Sequence, residues 1–98
     1  MKKPEKNAKM SPENTNCQTW VTGDDIICCQ ITSEARFDEY AIVLNDNDFK
    51  EGSLQQTSLI RPNRIFTADQ SIISYKTGRL KEKKIEEIES GLVKIFTL

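Results

Sequence analysis

The chain has 98 residues, with 14 Lys and Arg against 15 Asp and Glu and a formal net charge of -1. That length suits one small domain and excludes a two-lobed enzyme with its site in a cleft between domains. With no histidine and three cysteines, it also excludes His-based acid–base work, Ser–His or Cys–His nucleophilic pairs and the usual zinc sites. The near-neutral total argues against a generic polyanion binder, but it hides asymmetry. Lys2, Lys3, Lys6 and Lys9 crowd the start, six acids lie between residues 33 and 52, and seven bases lie between 61 and 84. A local basic stretch can hold phosphate even when the total is neutral.

Residues 1–19 are polar and twice interrupted by proline. A segment that buries so little cannot offset its ordering entropy, so it reads as a flexible arm, with the ordered domain over 20–98. Thr22-Gly23-Asp24 reads as a turn into a strand over Asp25–Thr32, which is apolar on both faces as a central strand would be. Within it, Cys28 and Cys29 should face opposite ways and not bridge. Together with Cys17 they read as buried thiols in a reducing compartment. No apolar run approaches the roughly 20 residues of a spanning helix, and no apolar stretch follows the basic start as in a signal peptide. The expected location is the cytoplasm.

Asp38–Asn45 reads as a second strand, followed by the turn-rich Asn45–Asp48 and a break at Glu51-Gly52-Ser53. Gln56–Arg61 is a third strand ended by Pro62-Asn63, Arg64–Thr67 a fourth and Ser71–Lys76 a fifth, closed by Thr77-Gly78-Arg79. The period then changes. Ile85, Ile88, Leu92 and Ile95 recur at three- and four-residue spacing, with Lys81, Glu82, Lys84, Glu86, Glu87 and Glu89 mostly opposite. This predicts one amphipathic helix of about five turns, with Gly91 a close packing point or a weak one. The architecture is a strongly bent antiparallel sheet or barrel, mainly β within the α+β class, with the C-terminal helix against it.

Few residues speak for chemistry on their own. Asp24-Asp25 and Asp46/Asp48 read as solvated turns, since neither has calcium-loop spacing. The run Lys81–Lys84 reads as the wet face of a helix, and Trp20 as a core or partner-facing anchor. Neither a metal nor a cofactor is expected.

The order of the segments, however, resembles the PemK/MazF (Kid-like) toxins of type II toxin–antitoxin modules, from Thr22 to Leu98. The likeness runs through an apolar strand ending in Ile31-Thr32-Ser33, then Phe37-Asp38-Glu39-Tyr40 and the Asp48–Leu54 turn. Its most telling stretch is Ser58–Thr67, and Gly78-Arg79-Leu80 leads into the amphipathic helix. The resemblance implies an SH3-like barrel and a sequence-selective, metal-independent endoribonuclease that cleaves RNA through its 2′-hydroxyl. It also implies a homodimer, single-stranded RNA as substrate, a cognate antitoxin as partner, and operator DNA bound together with that antitoxin. Such cleavage needs a proton acceptor, a proton donor and support for the phosphorane, none of which requires histidine.

By this resemblance Thr32 is the catalytic hydroxyl, and Ser33 with Arg61 or Arg64 contacts the RNA. The family's other catalytic group, an Arg in an Arg-Pro dipeptide opening a strand before the Gly-Asp turn, has no counterpart here. The nearest echo is Lys3-Pro4 with Met10-Ser11. The expectation is therefore a domain short of its N-terminal strands, with the edge of the Ile26–Ile31 strand open to pairing. Two function classes follow: a ribonuclease toxin, or a catalytically impaired relic that only binds nucleic acid or antitoxin.

Overall fold

The computed structural model describes residues 7–10, 15–33, 38–54 and 56–97. Among the described residues seven strands make one antiparallel sheet that curls into a half-barrel: β1 (Asn7–Met10), β2 (Thr15–Thr22), β3 (Asp25–Thr32), β4 (Ile42–Leu44), β5 (Phe49–Gly52), β6 (Ser58–Asp69) and β7 (Ile73–Leu80). Their order across the sheet is β4-β6-β3-β2-β1-β7-β5. Helix α1 (Glu82–Phe96) follows β7 and covers one face.

Strand β3 has the bounds its apolar run predicts. A β-strand alternates its side chains, so a strand apolar at every position must be covered on both sides. That is what happens here. Cys29 and Ile31 join Trp20, Leu44, Ile60, Leu80, Ile85 and Ile88 in the core beneath α1. Ile26 and Cys28 join Cys17 in a second cluster on the other face, against Val21, Ala68, Ile72 and Ile73. The three thiols are free and buried.

The reading of residues 1–19 as a flexible arm is corrected. Within that span β1 and β2 are strands, and Asn7, Ala8, Cys17, Gln18 and Thr19 are buried. Residues 1–6 and 11–14 lie outside the described residues. Low hydrophobicity misleads here because β1 and β2 are inner strands, satisfied by backbone pairing on both edges. β2 pairs with β3 along seven positions from Asn16↔Ile31 to Thr22↔Asp25, and β1 sits between β2 and β7. The expected open edge of β3 is therefore closed by β2, and the domain expected to begin at residue 20 takes in strands that precede it.

Further on, the third and fourth predicted strands are one. Pro62 does not end β6, because three residues from Pro62 to Arg64 bulge out between the pairs Gln30↔Arg61 and Cys29↔Ile65. A bulge is where a strand tolerates a residue without an N–H. The Asp38–Asn45 strand shrinks to β4, because the Asp38 carboxylate accepts the N–H groups of Tyr40 at 2.8 Å and Ala41 at 2.9 Å and bends the chain. The expected break at Glu51-Gly52 instead belongs to β5, whose Gly52 faces Gly78 of β7. A Cβ on either would overlap the other strand's backbone, so this pairing exists only because both are glycine.

Helix α1 is 15 residues, about four turns. Ile85 and Ile88 are buried, Leu92 and Ile95 half-buried. Two residues assigned to the wet face are not there. Lys84 lies half-buried with its ammonium 3.1 Å from the Val43 carbonyl oxygen, and Glu89 accepts the Trp20 indole N–H at 3.1 Å. Trp20 is thus a core anchor. At Gly91 an added methyl would meet Pro62 Cγ at 3.4 Å, an ordinary contact.

Candidate functional site

A single cross-strand row explains where a site can form. Reading across the sheet, Ile42 pairs with Ile60, Ile60 with Ile31, Ile31 with Asn16, Asn16 with Lys9 and Lys9 with Tyr75. Facing residues in antiparallel pairs share one side of the sheet. The row therefore starts in the core under α1 and turns polar at the step from β3 to β2. Where it turns polar, the sheet borders a half-open cavity of about 310 Å³ rather than a packed core.

Ser33, just past the end of β3, lines this cavity together with Lys9, Asn16, Ser58, Tyr75 and Thr77. Leu54, after β5, is an apolar element of its wall. Among the described lining residues Lys9 is the one that carries charge. Lys9 and Thr77 are half-buried, Ser58 is buried, and Tyr75 is 53% exposed. The Thr77 hydroxyl donates to the Asn7 backbone carbonyl at 3.4 Å, tying β7 to β1 behind the cavity wall. The Asn16 side-chain oxygen is closed off from solvent and has no hydrogen-bond partner among the described residues. The same holds for both amide atoms of Asn7, which is fully buried.

The four residues picked from the sequence are not brought together. Thr32 ends β3, half-buried and opposite Leu59. Alternation sends it to the face away from Ile31. Ser33 alone of the four lines the cavity. Arg61 also lies on the far face, opposite Gln30, and its guanidinium is turned to Asp38 with Nη2 3.4 Å from Oδ2. Asp38 is held below the usual carboxylate range, first by the Tyr40 N–H and further by Ala41, Asn63 and Arg61. The pair pins the segment that leads into β4. Arg64 is exposed in the β6 bulge, where it borders a separate depression with Gln30, Asn63, Ile65 and Phe66.

Lys9, Asn16, Tyr75, Ser58 and Thr77 were not picked from the sequence. The signal for one of them was present, since Asn16, Gln18 and Trp20 alternate with Cys17, Thr19 and Val21. That period of two is masked because polar residues occupy both of its phases. Among the described residues no group of His, Cys, Asp and Glu side chains could hold a metal ion. No described helix is long and apolar enough to cross a membrane.

Comparison with known proteins gives three findings. The sequence model of the family described as the PemK-like, MazF-like toxin of type II toxin–antitoxin systems matches residues 11–96. No protein of curated function matches the chain by sequence. In structure, the chain is similar to the Mycobacterium tuberculosis toxin MazF-mt6, with a TM-score of 0.77 and 13% identity over 96% of this chain and 98% of that one. It is also similar to an endoribonuclease from a mycobacterial species (TM-score 0.75, 11% identity, 95% of this chain and 88% of that one). A third similar structure is an endoribonuclease in complex with its cognate antitoxin, again mycobacterial (TM-score 0.73, 11% identity, 100% and 95%). At such identities the likeness is one of fold.

Proposed function

The chain belongs to the PemK-like, MazF-like toxins of type II toxin–antitoxin systems, and from that premise we propose that it is an endoribonuclease acting through the RNA 2′-hydroxyl. The observation that carries this reading is the hydroxyl-rich cavity at the end of β3, with Lys9 as its cation. In the reaction O2′ bonds to phosphorus as the P–O5′ bond breaks. A base takes the 2′ proton and an acid returns one to O5′. Ser33 and Lys9, which line the cavity, hold the RNA backbone there. Thr32, at the end of β3 on the other face of the sheet, is the acid–base or phosphate-contacting hydroxyl by the family resemblance.

An ammonium is a point charge without the planar, two-toothed grip of a guanidinium. Losing one preorganised donor slows such reactions about 10²–10³-fold. Arg64, exposed in the bulge, contacts the RNA backbone, whereas Arg61 acts through Asp38 to hold the approach to β4. The partners are single-stranded RNA and a cognate antitoxin. The protein works as a homodimer in the cytoplasm and engages operator DNA only together with the antitoxin. The one Arg-Pro dipeptide, Arg61-Pro62, lies in β6 and none precedes the Gly23-Asp24 turn in these 98 residues, which favours the second reading, a module that binds antitoxin or nucleic acid without cleaving.

The test is digestion of a mixed RNA pool with and without chelator, with the product ends mapped. We expect slow, chelator-resistant cleavage at a restricted set of sequences, lost in Thr32→Ala and partly retained in Thr32→Ser. Cleavage undiminished by Thr32→Ala would overturn the assignment of that hydroxyl. No cleavage by the parent chain would leave the binding module as the function.

A further inference from the structure

We infer that the buried Cys29 thiol is a positioning residue: by holding the Arg61 carbonyl where β6 leaves the ladder, it fixes the bulge that presents Arg64 to the RNA backbone. The inference rests on the Arg64 contact proposed above and adds what aims that guanidinium.

The bulge lies between the pairs Gln30↔Arg61 and Cys29↔Ile65, so Pro62, Asn63 and Arg64 have no partner residue on β3. The chain departs from the ladder at the Arg61–Pro62 peptide. Proline lacks an N–H, so the Arg61 carbonyl is the one polar handle on that peptide. Cys29 Sγ donates to this oxygen at 3.3 Å. The peptide is planar, and the proline ring locks the φ that follows it. Holding one oxygen therefore orients two rigid units in succession, and with them the direction in which the bulge leaves the strand. A thiol is a weak donor. Cys29 is fully buried, however, and there a hydrogen bond is electrostatically stronger than in water. Burial also pushes the thiol up to about 12, so the sulfur keeps the proton it donates at neutral pH.

The rest of the bulge is fastened from within as well. Pro62 is fully buried, with its Cγ 3.4 Å from where a Gly91 Cβ would stand on α1. The Asn63 side chain bonds to Asp38, which also pairs with Arg61 at 3.4 Å. Arg64 is left exposed on this mount. Bulges commonly re-aim a side chain in this way. An arginine on a mobile loop must be ordered as it binds, whereas a fixed mount removes part of that cost in advance.

The experiment places Cys29→Val, which keeps a packed side chain but has no donor, and Arg64→Ala in a double-mutant cycle. Anisotropy follows binding of a fluorescent, fully 2′-O-methylated single strand of mixed sequence, which cannot be cleaved, across a salt series. NMR relaxation reads the backbone order of Asn63 and Arg64. Arg64→Ala should lower the slope of log affinity against log salt by about 0.7, one phosphate contact on a single strand. In Cys29→Val the order parameters of Asn63 and Arg64 should fall from about 0.85 towards about 0.6. The same variant should weaken binding by no more than Arg64→Ala does, and should add nothing once Arg64 is gone. Cys29→Ala, smaller instead of larger, should show the same coupling and serves if the valine variant does not fold. Unchanged order in the bulge, or losses that add to those of Arg64→Ala, would overturn the inference and leave the thiol a packing residue. If Arg64→Ala alone binds like the parent with the same slope, the RNA contact itself fails and takes the inference with it, a result visible without touching Cys29.

Discussion

Truncating Ile88 to alanine should separate the buried face of α1 from its wet one. Ile88 is fully buried beside Ile42, Ile60, Ile85 and Trp20. The change removes three carbons, about 2.4 kcal/mol at ~0.8 kcal/mol each. The cavity left between helix and sheet raises the cost to about 3–5 kcal/mol. In a chain of this size each kcal/mol moves the melting temperature about 4–8 °C, so Ile88→Ala should melt at least ~12 °C below the parent. Val93 lies five residues further along the same helix but is 60% exposed. Val93→Ala should stay within about 0.5 kcal/mol of the parent, with the better helix propensity of alanine offsetting the lost contacts. Thermal unfolding followed by far-ultraviolet circular dichroism reads the whole fold. Fluorescence of Trp20, hydrogen-bonded to Glu89, reads this cluster. Equal losses in the two variants would refute the packing of α1 described above.

Removing residues 1–19 should abolish cooperative unfolding, because it strips β1 and more than half of β2 and uncovers one edge of β3; a deletion variant that melts like the parent would show those strands to be dispensable. Asp38→Asn should destabilise the protein at neutral pH. The folded carboxyl is held low, so its contribution is present above the unfolded value of about 3.9 and is lost as pH falls through the lower folded one. Unfolding midpoints of variant and parent should therefore converge in acid. Burial pushes the Cys29 thiol up to about 12, and Cys17 is also raised, by its hydrogen bond with Cys28 and by burial. The same hydrogen bond lowers Cys28, but all three thiols are buried, so iodoacetamide at pH 8 should label none of them until the chain is unfolded, as mass spectrometry would show.

The elements that sequence alone determined are those whose pattern is paid for locally. Strand β3 is apolar at nearly every position from Ile26 to Ile31, and only a strand covered on both faces satisfies that. The isoleucines of α1 recur at helical spacing, and only one side of a helix can hide them. The order of these segments was enough to reveal the family. Tertiary structure decided the rest. Asn7–Met10 and Thr15–Thr22 become inner strands because their neighbours satisfy their backbone groups, an energy that no single-residue hydrophobicity carries. Pro62 continues a strand because a bulge exists opposite Cys29 and Gln30, and a bulge is a property of two strands at once. The cavity follows from the same cause. Lys9, Asn16 and Tyr75 are far apart in sequence, and they line one wall because the register β2–β1–β7 sets them in one row.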